Sequence, residues 1–201
     1  MTLPTPPGSS SALAAFPSVI LRSSQPLSRI HRETNATQWF SNDQTGRFDP
    51  PHGVEDFGTC YFSTHPVGAF VETFGRINPI SRQNIDERVL ATSYLASDVI
   101  LANALDPHLI GQWGLTGELS TSADYDPPQQ WANAWFEAGF SGVIYAARHD
   151  PSLQSRSIAI FGKPGYQPTA FFASTTAIPY WVESEAKRRF GFKIIPRTAL
   201  N

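Results

Sequence analysis

The order in which strand-like and helix-like segments follow one another constrains this chain most. Residues 27–32 alternate, putting Leu27, Arg29 and His31 on one face of a strand and Ser28, Ile30 and Arg32 on the other. Residues 58–63 read as a second strand, and Pro66 opens a short helix whose apolar side carries Ala69, Phe70, Thr73 and Phe74. Two strands then follow in succession, over 88–96 and 99–105. Asp126-Pro127-Pro128-Gln129 caps a helix that buries Trp131, Ala134, Trp135 and Ala138 and stops at Gly139. Strands over 142–148 and 157–162 pair around Asp150-Pro151-Ser152, and a helix over 180–190 closes the series. Regular βαβ alternation is missing, which excludes a doubly wound parallel sheet and predicts an α+β fold in a single domain. The 201 residues suit that, since one domain takes roughly 100–200.

Around this centre the chain divides into three stretches. Residues 1–18 hold Pro4, Pro6, Pro7, Gly8 and a run of three serines, and read as a flexible N-terminal arm. Residues 19–165 form the domain proper. Residues 166–201, with Phe171, Phe172, Tyr180 and Trp181, read as an extension packed on the same domain, a homodimer contact being the alternative. In the last helix Glu183 with Lys187 and Glu185 with Arg189 are spaced to pair on an exposed face. The polar stretch 35–56, with prolines at 50 and 51, is long enough for a functional loop.

Charge narrows the choice of ligand. Fifteen Lys and Arg against seventeen Asp and Glu leave a net charge of -2, so no global basic field holds a nucleic acid or an anionic membrane. An anionic ligand must instead be held by a local arginine cluster. No apolar run approaches the roughly 20 residues of a membrane helix, and residues 1–20 lack the basic start of a signal peptide. The single cysteine, Cys60, forms no intramolecular disulfide and reads as a small core residue; the expected compartment is the cytoplasm. The five histidines show no zinc-ligand spacing, so no metal is expected, and Walker, dinucleotide-fingerprint and nucleophile-elbow motifs are absent.

What remains is a set of arginines and one carboxylate. Arg29 shares a strand face with a core leucine, Arg47 sits in a Gly/Pro loop, Glu72 lies in an apolar helix, and Arg148 with His149 closes a strand. Each has a plainer reading. Glu72 is spaced to pair with Arg76 on a solvated face, and Arg47 reads as a loop charge in water.

In chain order, 29–32 (RIHR), 46–50 (GRFDP), 57–62 (FGTCYF), 69–74 (AFVETF), 142–150 (GVIYAARHD) and 158–161 (IAIF) resemble the RES domain family, over roughly residues 27–165. The resemblance implies an α+β fold of mixed sheets with flanking helices, similar to the ADP-ribosyltransferase toxins. It implies degradation of NAD+ at the bond between nicotinamide and ribose, by water or phosphate, with NAD+ as substrate and no separate cofactor. It also implies a toxin whose cleft an antitoxin covers. Carried over by position, the family's first Arg falls on Arg29, the loop Arg on Arg47, the strand Tyr on Tyr61 and the Glu on Glu72, with Arg148 beside the site. Arginines suit a pyrophosphate, Tyr61 a nicotinamide ring, and Glu72 the positive charge that cleavage leaves on the ribose. Two other readings stand beside this one: transfer of ADP-ribose to a macromolecule, disfavoured by Phe70 where a second carboxylate would direct the acceptor, and a silent binding module.

One position departs from the family. Where the family reads Tyr-x-Ser-Arg, this chain reads Tyr145-Ala146-Ala147-Arg148, so Ala147 stands at the position of the family serine. Loss of one positioned donor costs on the order of 100-fold in rate. A naturally weakened or rewired member and a deliberately inactivated copy are the two explanations.

Overall fold

The computed structural model describes residues 3–197, so the outermost residues of the arm and of the C-terminal extension, 1–2 and 198–201, lie outside the described residues. In chain order the elements are β1 (Ser18–Leu21), β2 (Leu27–Arg32), β3 (Trp39–Phe40), β4 (Gly58–Ser63), α1 (Pro66–Phe74), β5 (Ile80–Ser81), α2 (Arg82–Asp86), β6 (Arg88–Leu95) and β7 (Val99–Asn103). They continue with α3 (Leu109–Trp113), α4 (Glu118–Thr121), α5 (Asp126–Glu137), β8 (Gly142–Ala146), β9 (Arg156–Gly162), β10 (Gly165–Tyr166), β11 (Phe171–Ala177), α6 (Tyr180–Phe190) and β12 (Ile194–Ile195). Eight strands make one mixed sheet in the order β1-β7-β8-β9-β4-β2-β6-β11. All its neighbours are antiparallel except β7 and β8, which α3, α4 and α5 connect in a crossover. This is the α+β architecture the segment order predicts.

The register decides what shares a face. Ser28 pairs with Ser63, Ser63 with Ser157, and Ser157 with Tyr145, so four strands present these residues side by side on one face. Two helical layers cover that face on either side of the row. Over β2 and β6 lie α1 and α6, with Ile30, Phe70, Phe74, Leu90, Ile178 and Val182 packed together. Over β8 and β9 lies α5, where Phe48, Phe57, Trp131, Trp135 and Val143 form an aromatic cluster. The opposite face buries Leu27, Cys60, Phe62, Ile158 and Ile160 against Phe40 and Phe171. A cavity opens between the two helical layers, above the hydroxyl row.

Several segments lie where composition alone does not place them. Part of the arm is packed: Leu13 and Phe16 are buried, Phe16 packs at tilted angles among Trp113, Trp131 and Trp135, and Trp131 Nε1 donates to Pro4 O at 2.8 Å. β1 and β11, edge strands with mostly exposed residues, lack the apolar alternation that reveals a strand. Glu183 does not pair with Lys187 on an exposed face. It is buried, and Arg82 holds it with two bonds of 2.8 and 2.7 Å. α6 thereby locks onto α2 as well as α1. Among the described residues no helix is long and apolar enough to cross a membrane.

Candidate active site

The cavity encloses about 310 Å³, and Arg29, Arg47, Tyr61, Glu72 and Arg148 all line it, together with Tyr125, Tyr145, His149 and Ser157. Residues spread over more than a hundred positions of sequence therefore meet at one place. Ala147 does not line it. It is fully buried just beyond the end of β8, with its N–H given to Ser155 O.

Glu72 projects from α1, a helix that begins at Pro66 with the His65 side chain accepting the Val67 N–H. Val67, Phe70, Val71 and Phe74 are buried, which leaves Glu72 and Thr73 as the polar residues at the cavity edge. The expected pairing of Glu72 with Arg76 is not made. Glu72 Oε1 instead accepts the His149 N–H at 3.1 Å, with His149 Nδ1 3.5 Å away. Arg76 Nε donates to His149 Nε2 at 3.3 Å, which makes Nε2 the acceptor and turns an Nδ1–H toward the carboxylate. Gly75 permits this approach: a Cβ there would collide with the His149 side chain. The turn behind His149 hangs on Asp150, whose carboxylate accepts the N–H and hydroxyl of both Ser152 and Ser155. Burial pushes the Asp150 carboxyl up, but those four bonds outweigh it and hold the group at about 2.

The opposite wall is basic. Arg47 is not a solvated loop charge; it is 6% exposed, with Nη1 donating to Leu119 O at 3.3 Å and Nη2 to Ser122 O at 2.7 Å. Its guanidinium stacks on the Tyr125 ring at 4.7 Å, and that of Arg148 lies 5.9 Å from the same ring. The Tyr125 hydroxyl accepts from Arg76 Nη2 at 2.9 Å and Arg148 Nη1 at 3.1 Å. Burial raises the Tyr125 phenol, yet the Arg76 bond and the charges of Arg47, Arg76 and Arg148 bring it below the usual value. Burial lowers the pKa of Arg47, and Arg148 nearby lowers it further, while Tyr125 opposes the shift. Arg47 and Arg148 thus line the cavity with the carboxylate of Glu72, and Arg76 joins them through the Tyr125 hydroxyl.

Tyr61 forms part of the wall through its ring and anchors the loop through its hydroxyl. That hydroxyl donates to Asp49 Oδ1 at 2.8 Å and accepts the Phe48 N–H at 2.8 Å. A Cβ on Gly46 would strike both the Tyr61 hydroxyl and the Asp49 carboxylate, so glycine is required where the loop closes. Burial lifts the Asp49 carboxyl to about 6 and the Tyr61 phenol well above its ordinary value.

Arg29 rises from the back face of β2, which explains an arginine beside a core leucine. Its Nη1 donates to Thr37 O at 3.1 Å and Cys60 Sγ at 2.6 Å, and the residue reaches the cavity wall where β2 and β4 part after their single registered pair. Cys60 is buried, its thiol pushed up to about 11 by burial despite the Arg29 charge. Sequence reasoning missed Tyr125, Tyr145 and Ser157. For the last two the available signal was strand alternation, which sets Tyr145 opposite Ser157 and on the face of Tyr61.

The RES domain model matches residues 26–181, a span that runs beyond Gly165 to include β11 and the start of α6. Among solved structures, a chain of the crystal structure of the M. tuberculosis MbcT–MbcA toxin–antitoxin complex superposes with a TM-score of 0.59. The two are 12% identical over 83% of this chain and 91% of that one, which makes the likeness one of fold. No curated protein matches the chain.

Proposed function

The chain belongs to the RES domain family, and from that premise we propose that it is a toxin that degrades NAD+ at the bond between nicotinamide and ribose. One observation carries this reading: a carboxylate, Glu72, faces an arginine-lined cavity of about 310 Å³. That volume is at the small end of ligand pockets, roughly 300–1,000 Å³, and suits the nicotinamide riboside half of the dinucleotide. Arg47 and Arg148 meet the pyrophosphate at the basic wall, where charge-assisted bonds are strongest, and Arg29 adds its charge from the β2 side. The Tyr61 ring covers the nicotinamide.

The chemistry follows from these positions. The ribose C1′–nitrogen bond breaks with its electron pair going to nicotinamide, which leaves as a neutral amide. Positive charge then develops on the ribose, and Glu72, oriented by the His149 N–H, stabilises it. Water or phosphate adds its oxygen to C1′, and the proton of an attacking water is released to a base or to solvent. Transfer to a macromolecule is less well supported, because Phe70, two residues before Glu72, is fully buried in the core.

A free enzyme of this kind drains its own cell, so an antitoxin is part of the proposal; the fold likeness to a chain of a toxin–antitoxin complex favours it. Since Arg47 is almost wholly buried, a partner's carboxylate must enter the cavity to reach it, whereas Arg76 and Arg148 are met at the rim. Expression in a bacterial host, placed by this reading in the cytoplasm, tests the function. Growth should stop as cellular NAD+ falls, and Glu72→Gln should relieve both. Growth arrest with NAD+ undiminished would overturn the proposal.

A further inference from the structure

The hydroxyl row on the cavity floor contains one member whose bonding is unspent. Ser157 is 1% exposed, and its Oγ has no hydrogen-bond partner, yet the residue lines the cavity. Buried polar groups in folded proteins are almost always satisfied, so an orphan on a cavity wall points to a partner that arrives with a ligand.

Its neighbours define what that partner is. Across the ladder on β4, the Ser63 Oγ donates to Arg156 O at 3.1 Å and accepts the His65 N–H at 3.4 Å. On β8, the Tyr145 phenol lies beside Ser157 Oγ without forming a well-aligned bond to it, and it also senses the charge of Glu72. Ser157 therefore sits on the floor of the cavity that Glu72 also lines, with both a proton to donate and lone pairs to accept. A sugar hydroxyl is the complement of such a group.

We propose that Ser157 is a ribose-binding residue, its Oγ hydrogen-bonding a hydroxyl of the nicotinamide-side ribose next to Glu72. This rests on the NAD+ reading above. It takes the hydroxyl from β9, whereas Ala147, past the end of β8, has none to offer. The chain contains its own control. Ser93 is also buried with an unpartnered Oγ, but it pairs with Leu27 and Ala173 and does not line the cavity.

The test compares Ser157→Ala with Ser93→Ala in the full chain, by thermal melting and by calorimetric titration with NAD+ and with nicotinamide alone. Removing an orphan hydroxyl leaves the fold as stable or more so, which is expected of both variants. Only Ser157→Ala should weaken NAD+ binding, by about five- to tenfold for one lost hydrogen bond, with nicotinamide binding unchanged. NAD+ affinity equal to that of the native chain, or a clear loss of thermal stability confined to Ser157→Ala, would overturn the assignment. A native chain that binds no NAD+ would overturn it together with the functional reading, a failure visible in the native titration alone.

Discussion

Glu72 and Arg47 face the same cavity and are held in opposite ways. Glu72 stands on α1, where Phe70 and Phe74 are fully buried in the cluster shared with β2, β6 and α6. Its position is set by the hydrophobic core. Arg47, Tyr125 and Arg148 come from loops or element ends, and their positions are set by one another: a stacked ring, a shared hydroxyl and two carbonyls after α4 begins. The helical half fixes one charge on the cavity wall. The loop half gathers several charges whose placement tolerates movement but depends on every member. Site substitutions in the first half should remove chemistry and leave the fold intact, while those in the second should act in concert.

The largest expected effect tests the helical half. Glu72→Gln should lower nicotinamide release by about 100- to 1,000-fold, as for loss of one electrostatic stabiliser, with the melting temperature nearly unchanged. A variant that loses its fold along with its activity would break the comparison, since Glu72 would then be structural. The second effect belongs to the loop half and is read by pH. Asp49, buried against Tyr61, has a folded pKa of about 6, above the ordinary value of 3.8. A raised carboxyl contributes stability that is present below the unfolded pKa and lost as pH rises through the folded one. Between pH 4 and 7 the native chain should therefore lose up to about 3 kcal/mol relative to Asp49→Asn, measured by urea unfolding. Asp150 has the opposite sign: held at about 2, it contributes stability above pH 4 that is lost as pH falls toward 2.

A smaller effect sharpens the contrast. In a double-mutant cycle, Arg47→Ala and Tyr125→Phe should each raise the KM for NAD+, and their combination should fall short of additivity by about 1 kcal/mol. Full additivity would show that Arg47 and the Tyr125 hydroxyl act independently. Smallest is Ala147→Ser. Because Ala147 is buried off the cavity wall and Ser157 lies on it, restoring the serine should raise turnover by less than about tenfold.

How far this was legible in the sequence follows the same division. β4 and α1 could be read directly, because Gly58–Ser63 is a β-prone run and Pro66 opens a helix with a strong apolar face. Glu72 stood out as an anomaly in an apolar helix. Its partner could not be read: spacing favours Arg76 at four residues, while the structure gives His149, which a fold-level contact at Gly75 brings in from 77 positions away. Tyr125 was illegible for a related reason. It precedes a Pro-rich helix start and carries no motif, and only three arginines converging on it reveal its role. Glu183, by contrast, was misread because helical spacing offered Lys187 and said nothing of Arg82 a hundred residues earlier in the chain.

The most direct measurement is nicotinamide release from NAD+ by the purified chain, followed with and without phosphate. The account predicts nicotinamide together with ADP-ribose or its phosphorylated form, suppressed in Glu72→Gln and retained in Ala147→Ser. NAD+ left intact by both the native and the Ala147→Ser chains, or release that continues undiminished in Glu72→Gln, would contradict it.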